Sequence, residues 1–198
     1  MKNVDFYFDF ISPYSYLAAL QLAEFSSENK VVFEWLPVNL PKIIHQSGNV
    51  PPSTIKNKAI YSLRDLKRWA AYLDVPFKMI RPGSFDSRPA LRIAGALQGE
   101  HRMRFCLAVF EALWSGHIDP RKEGWLQAVF AHKELPETWL ELSSDMFETN
   151  VARGLKAGLF GVPTFILHGQ GKSEMLFGVD HMVFLARACQ SAHTLEKE

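Results

Sequence analysis

Apolar residues recur at every second position at the start of the chain, with Val4, Phe6, Phe8 and Phe10 on one side and Asp5, Tyr7 and Asp9 on the other. That two-residue period predicts a strand. Ser12 follows where a helix N-cap is expected, and Pro13 takes the first helical position, where its missing N–H costs nothing. Tyr16, Leu17, Leu20 and Phe25 then give that helix an apolar face. Val31-Val32-Phe33-Glu34-Trp35-Leu36, ended by Pro37, predicts a second strand, so the first 36 residues read as one βαβ unit. From about Ser53 the period lengthens: Ile60, Leu63, Leu66, Ala70 and Leu73 fall at helical spacing, and further helices are predicted over 90–98, 102–114, 125–132, 138–144 and 151–159. Thr164–Leu167 and Glu174–Phe177, parted by the turn-forming Gly169-Gln170-Gly171, predict a hairpin, after which Asp180 opens a last helix through Ala188.

A βαβ unit, a block of helices and then ββα is the order of an α/β, thioredoxin-like sheet with an inserted all-helical domain. The boundaries implied are 1–45 with 150–198 for the thioredoxin-like part and 46–149 for the insertion. With 198 residues, 47% hydrophobic and 22% charged, the chain can bury a core of its own. Lys and Arg number 22 against 21 Asp and Glu, so no basic field favours nucleic acid or an anionic membrane. No stretch approaches the ~20 apolar residues of a membrane span and no apolar leader follows Met1-Lys2-Asn3, so a cytoplasmic location is expected.

The two cysteines, Cys106 and Cys189, form neither a C-x-x-C pair nor a metal-ligand spacing, and both read as small core residues. The seven histidines show no metal constellation either. Thiol chemistry would therefore have to come from a ligand. The strand-to-helix junction at Ser12 can receive one, because free N–H groups and the positive end of the helix dipole favour an anion there. By itself Ser12 reads first as a plain helix cap.

Several segments, taken in order along almost the whole chain, carry a resemblance. Phe8-Asp9-Phe10-Ile11-Ser12-Pro13-Tyr14-Ser15-Tyr16-Leu17, Ser47-Gly48-Asn49-Val50-Pro51-Pro52, Gly161-Val162-Pro163-Thr164 and Leu176-Phe177-Gly178-Val179-Asp180 resemble the DsbA-like branch of the thioredoxin superfamily. Within it they look like the 2-hydroxychromene-2-carboxylate isomerases and the kappa-class glutathione transferases. The resemblance implies glutathione as cofactor, a cis bond before Pro163, and main-chain pairing of Val162 with the cysteinyl part of glutathione. Ser12 stands where redox relatives keep a nucleophilic cysteine. It would donate a hydrogen bond to a bound thiolate, whereas Ser12 and Ser15 together argue against a dithiol oxidoreductase.

The same resemblance implies contacts from Asn49 and Lys58 to glutathione or substrate, from the Val179 N–H to the γ-glutamyl carboxylate, and from Asp180 to its ammonium. Without it, Asn49 reads as a turn residue, Lys58 as part of a solvated helix face and Asp180 as an N-cap. Tyr14 and Tyr61 are candidates to line a flat apolar substrate pocket, though aromatics at helical spacing are commonly core. The implied activity is glutathione-dependent isomerisation of an unsaturated aromatic keto acid by reversible conjugate addition, in aromatic catabolism. A kappa-like transferase and a non-catalytic peptide-binding module are the alternatives. A homodimer is compatible with the pattern, which does not fix an oligomeric state.

Overall fold

The computed structural model describes residues 2–169 and 173–194, with side chains through Gln190. Four strands, β1 (Lys2–Phe8), β2 (Val31–Pro37), β3 (Thr164–Leu167) and β4 (Glu174–Phe177), form one sheet of order β2-β1-β3-β4. β2 runs parallel to β1, while β3 is antiparallel to β1 and β4 to β3. The helices are α1 (Pro13–Ala19), α2 (Leu22–Asn29), α3 (Leu40–Ser47), α4 (Lys56–Tyr72), α5 (Arg88–Ala96), α6 (Gly99–Trp114), α7 (Trp125–His132), α8 (Met146–Lys156) and α9 (Met182–Thr194). The order is that of the predicted α/β fold. Of the predicted hairpin turn, Gln170 and Gly171 lie outside the described residues.

The alternation along β1 holds, but its second face is not solvated. Val4, Phe6, Phe8 and Phe10 enter the main core, where Phe6 meets Trp35 edge-on at 5.0 Å and Phe10 meets Phe110 at 4.9 Å. Tyr7 enters a smaller core with Leu36, Ile43, Val151 and Ile166, beneath α3 and α8. A central strand covered by helices on both sides buries whatever it carries. Asp5 and Asp9 are accordingly 4% and 0% exposed.

The main core runs without a break from the sheet into α6 and α7, through Phe105, Phe110, Trp114 and Phe130. Two polar tips register this packing on the start of the chain. Trp114 Nε1 donates to the Phe10 carbonyl at 3.0 Å, and Tyr16 Oη donates to the Pro76 carbonyl at 2.8 Å. Cys106 and Cys189 are buried, and burial pushes both thiols up.

Several predicted elements change. The single helix from Ser12 to Phe25 is two, because Gln21 closes a three-residue turn onto Ala18 while its side chain takes the Leu17 carbonyl. α3 was not expected, although Leu40, Ile43 and Ile44 fall at helical spacing, Asn39 caps Lys42 N–H and Gly48 ends the helix at φ +71°: the element is only eight residues long and buries Ile43 alone. The helix predicted over 138–144 is a 3₁₀ turn, Glu137–Glu141, and that over 151–159 begins earlier and ends at Lys156, before Gly158 at φ +91°. Asp180 does not open the last helix. It lies inside a 3₁₀ turn, Val179–His181, and α9 starts at Met182.

Candidate active site

The β1–α1 junction is built by local hydrogen bonds. Ser12 is extended at φ −94°, ψ 112°, its Oγ accepts from Ser15 N–H at 3.1 Å, and Pro13 occupies the first turn. α1 has only seven residues, so its dipole is small and the hydroxyl with the first-turn N–H groups carries most of the site's polarity. Ser12 Oγ also donates to the Val162 carbonyl at 3.3 Å, a long bond that joins positions 150 residues apart. The Val162–Pro163 bond is cis, as the resemblance implies. Among the described residues, Tyr14 N–H and Val162 N–H meet no acceptor, and the buried Ser15 hydroxyl has no partner.

Two further pieces are tied to this pair. Asn49 Nδ2 donates to the Phe160 carbonyl at 2.7 Å, bringing the end of α3 onto the strand-entry loop. Gly178 N–H donates to the Pro163 carbonyl at 2.9 Å, bringing Val179 and Asp180 alongside. Gly178 sits at φ +100°, and a Cβ there would come within 2.4 Å of Asp180 Oδ1, so a side chain would displace that carboxylate. Val179 is buried, while Asp180 is exposed, with His181 Nδ1 at 3.3 Å in a geometry that makes no hydrogen bond.

Lys58 and Tyr61 stand apart from Ser12. With Pro52, Asn57 and Ser62 they line an open groove of about 390 Å³ on α4 and the turn before it, and Tyr61 is 63% exposed. Tyr14 connects the two halves: its hydroxyl donates to Asp65 Oδ2 on α4 at 3.0 Å, and burial with that neighbouring carboxylate pushes the phenol up. Tyr14 is therefore a strut between α1 and α4 that stays protonated. The aromatic expectation for Tyr14 and Tyr61 divides accordingly, one serving as a half-buried tie and the other as an exposed wall.

Two residues that take part here escaped the sequence reading. Asp65 is one. Asp9 is the other, fully buried at the foot of the junction, accepting from Ile11 N–H at 3.2 Å, Leu40 N–H at 2.8 Å and Ser87 Oγ at 2.7 Å. The available signal was an acidic residue just before a serine cap, the pattern of a side chain folding onto the backbone two residues on. Among the described residues no group of three or more His, Cys, Asp or Glu side chains could hold a metal ion. No described helix is long and apolar enough to cross a membrane.

Comparison with known proteins gives a consistent result. Residues 3–190 match the DSBA-like thioredoxin domain. The chain is 31% identical to a 2-hydroxychromene-2-carboxylate isomerase of Sphingobium xenophagum, over 93% of this chain and 96% of that one. It is 25% identical to glutathione S-transferase kappa 1 of Rattus norvegicus, over 93% and 89%. A solved structure of a selenomethionine 2-hydroxychromene-2-carboxylate isomerase superposes with a TM-score of 0.78 at 26% identity, covering 98% of each chain.

Proposed function

The chain belongs to the DSBA-like thioredoxin family, on the branch of the 2-hydroxychromene-2-carboxylate isomerases and kappa-class glutathione transferases, and from that premise we propose that it is a glutathione-dependent isomerase of an unsaturated aromatic keto acid. The observation that carries the reading is the Ser12 hydroxyl paired with the Val162 carbonyl, beside unpartnered N–H groups on Tyr14 and Val162. This donor set fits a cysteinyl thiolate with its peptide backbone, because the hydroxyl can give up a long bond to a carbonyl for a stronger one to an anion.

Bound glutathione would supply the nucleophile for reversible addition to the conjugated double bond, which rotates as a single bond before elimination returns the thiol unchanged. The protein's part is to bind, orient and stabilise charge. Ser12 and Tyr14 N–H hold the sulfur as an anion, each pKa unit of lowering being worth about 1.4 kcal/mol. Val162 N–H and C=O pair with the cysteinyl backbone. Val179 N–H meets the γ-glutamyl carboxylate and Asp180 its ammonium. Asn49 positions the loop before Pro163. Lys58 draws the substrate carboxylate and steadies negative charge developing on the keto group, with Tyr61 as an aromatic wall.

Incubation of the protein with 2-hydroxychromene-2-carboxylate and glutathione tests the reading. Isomerisation that needs glutathione and returns it free supports the proposal. A stable thioether marks a transferase instead, and turnover unaffected by glutathione overturns the cofactor assignment.

A further inference from the structure

Asp9 is buried at an electrostatic cost. Its carboxylate is fully buried, and the groups that face it are the backbone N–H groups of Phe10, Ile11 and Leu40 and the Ser87 hydroxyl, all neutral. A buried anion without a countercharge is costly. Burial pushes this carboxyl up to about 6 in spite of those donors.

What the residue does is visible in the circuit it closes. Oδ1 takes the N–H of Ile11, immediately before Ser12, and the Asp9 carbonyl takes the N–H of Ser12 itself at 3.0 Å. Oδ2 takes the N–H of Leu40, the first residue of α3. Just past the other end of α3, Asn49 bonds the Phe160 carbonyl, two residues before Val162, and Val162 returns to Ser12. Ser87 donates from the residue before α5 and holds the carboxylate from a third side. Both walls of the thiol site are thus referenced to one side chain.

We infer that Asp9 is the positioning residue of the site, setting the Ser12 hydroxyl and the Val162 backbone at the separation that a bound thiolate requires. The inference rests on the glutathione reading above.

Asp9→Asn breaks the circuit at one defined point. An amide has one oxygen: with NH₂ in the place of Oδ1 the Ile11 N–H loses its acceptor while the Ser87 hydroxyl can accept from the amide, and with NH₂ in the place of Oδ2 the Leu40 N–H loses its acceptor. The measurement is the ultraviolet thiolate absorbance of bound glutathione against pH, for wild type, Asp9→Asn and Ser87→Ala. Misalignment raises the apparent pKa of the bound thiol by about one unit in Asp9→Asn, a tenfold loss of thiolate at a given pH, and by less in Ser87→Ala. Loss of the carboxylate's charge alone would move it the other way, since a nearby anion disfavours a second one.

A rise supports the inference, and an unchanged or lowered value in a folded variant overturns it, whatever happens to the melting temperature. Should Asp9→Asn fail to fold, Ser87→Ala decides by the same criterion, because it keeps both backbone bonds. If the wild type forms no thiolate, the glutathione reading itself fails and this inference falls with it. That outcome is distinct from a wild type that ionises glutathione and variants that do so equally well.

Discussion

Asp5, midway along the first strand, and Asp9, just past its C-terminal end, are both buried carboxylates, and the fold treats the two places differently. Asp5 is met by a cation, Arg153 on α8 at 2.5 Å, with His168 Nε2 at 3.0 Å and the Tyr7 hydroxyl at 3.5 Å. Asp9, beside the candidate site, is met only by neutral donors. An ion pair with a half-exposed arginine is a tolerable way to bury an acid, and it ties α8 and the end of β3 to the sheet. A carboxylate held by backbone N–H groups fixes main-chain positions instead, at a larger desolvation cost. The Asp5 end of this segment is built for cohesion and the Asp9 end for geometry. Departure from the stabilising rule is expected where a site is being held.

The sharpest way to break this comparison is to damage both ends and exchange the readouts. Ser12→Ala should lower glutathione-dependent turnover on the order of a hundredfold, the usual loss of a single donor aimed at developing charge. Its stability loss should stay near ~1 kcal/mol, the worth of a cap. Arg153→Met should do the reverse. Removing a charged partner of a hydrogen-bonded carboxylate costs about 1.5–3 kcal/mol, here at the lower end because Arg153 is 50% exposed and His168 remains. Turnover well below its melting temperature should be unchanged. Urea melts and initial rates on both variants check this, and a large activity loss in Arg153→Met would erase the distinction between the ends.

The difference between the ends also explains what could be read from the sequence. Ser12 was legible because capping is local: hydroxyl, proline and apolar face follow one another within five residues, and the observed helix starts at Pro13. The strands Thr164–Leu167 and Glu174–Phe177 and the helix Trp125–His132 were legible for the same reason, each being an uninterrupted period between turn signals. Asp9 was not, because its meaning lies with Leu40 and Ser87, 31 and 78 positions away, and a period-two strand marks it as solvent-facing. α3 was missed because its apolar spacing, Leu40, Ile43 and Ile44, spans little more than one turn of an eight-residue helix and buries one side chain fully. The meeting of Ser12 with Val162 came from resemblance alone, since nothing local at either residue points to the other.

A pH titration of stability sharpens the contrast next. The Asp9 carboxyl is raised in the folded chain from 3.8 to about 6, so the native state binds that proton more tightly than the unfolded state does. Its stabilising contribution is therefore fully present below the unfolded value and is lost as pH rises through the folded one. Wild-type stability minus that of Asp9→Asn should fall across this window, with a slope of at most ~1.4 kcal/mol per pH unit, and be level above it. Denaturant melts of the two proteins at several pH values measure the difference. A difference that rises with pH would mean that the donors around Asp9 outweigh its burial, and the Asp9 carboxylate would then be stabilised in its charged form, as a carboxylate beside a cation is.

The smallest effects come from deleting one hydroxyl at each end. Ser87→Ala removes a 2.7 Å bond to a buried carboxylate that has no cation beside it. Tyr7→Phe removes a 3.5 Å bond to one that keeps Arg153 and His168. Hydrogen bonds weaken steeply with length, and a carboxylate already satisfied by charged donors has least to lose. Burial and Asp5 push the Tyr7 phenol up to about 12, so it is a neutral donor throughout the working range and its deletion changes no charge. Ser87→Ala should cost about 1 kcal/mol and Tyr7→Phe less than about 0.5 kcal/mol, the ring of Tyr7 keeping its place in the smaller core. Melts of both variants at neutral pH decide the order. The reverse order would show that the Asp5 end depends on its hydroxyl rather than on Arg153, and the division into a charged end and a neutral end would have to be abandoned.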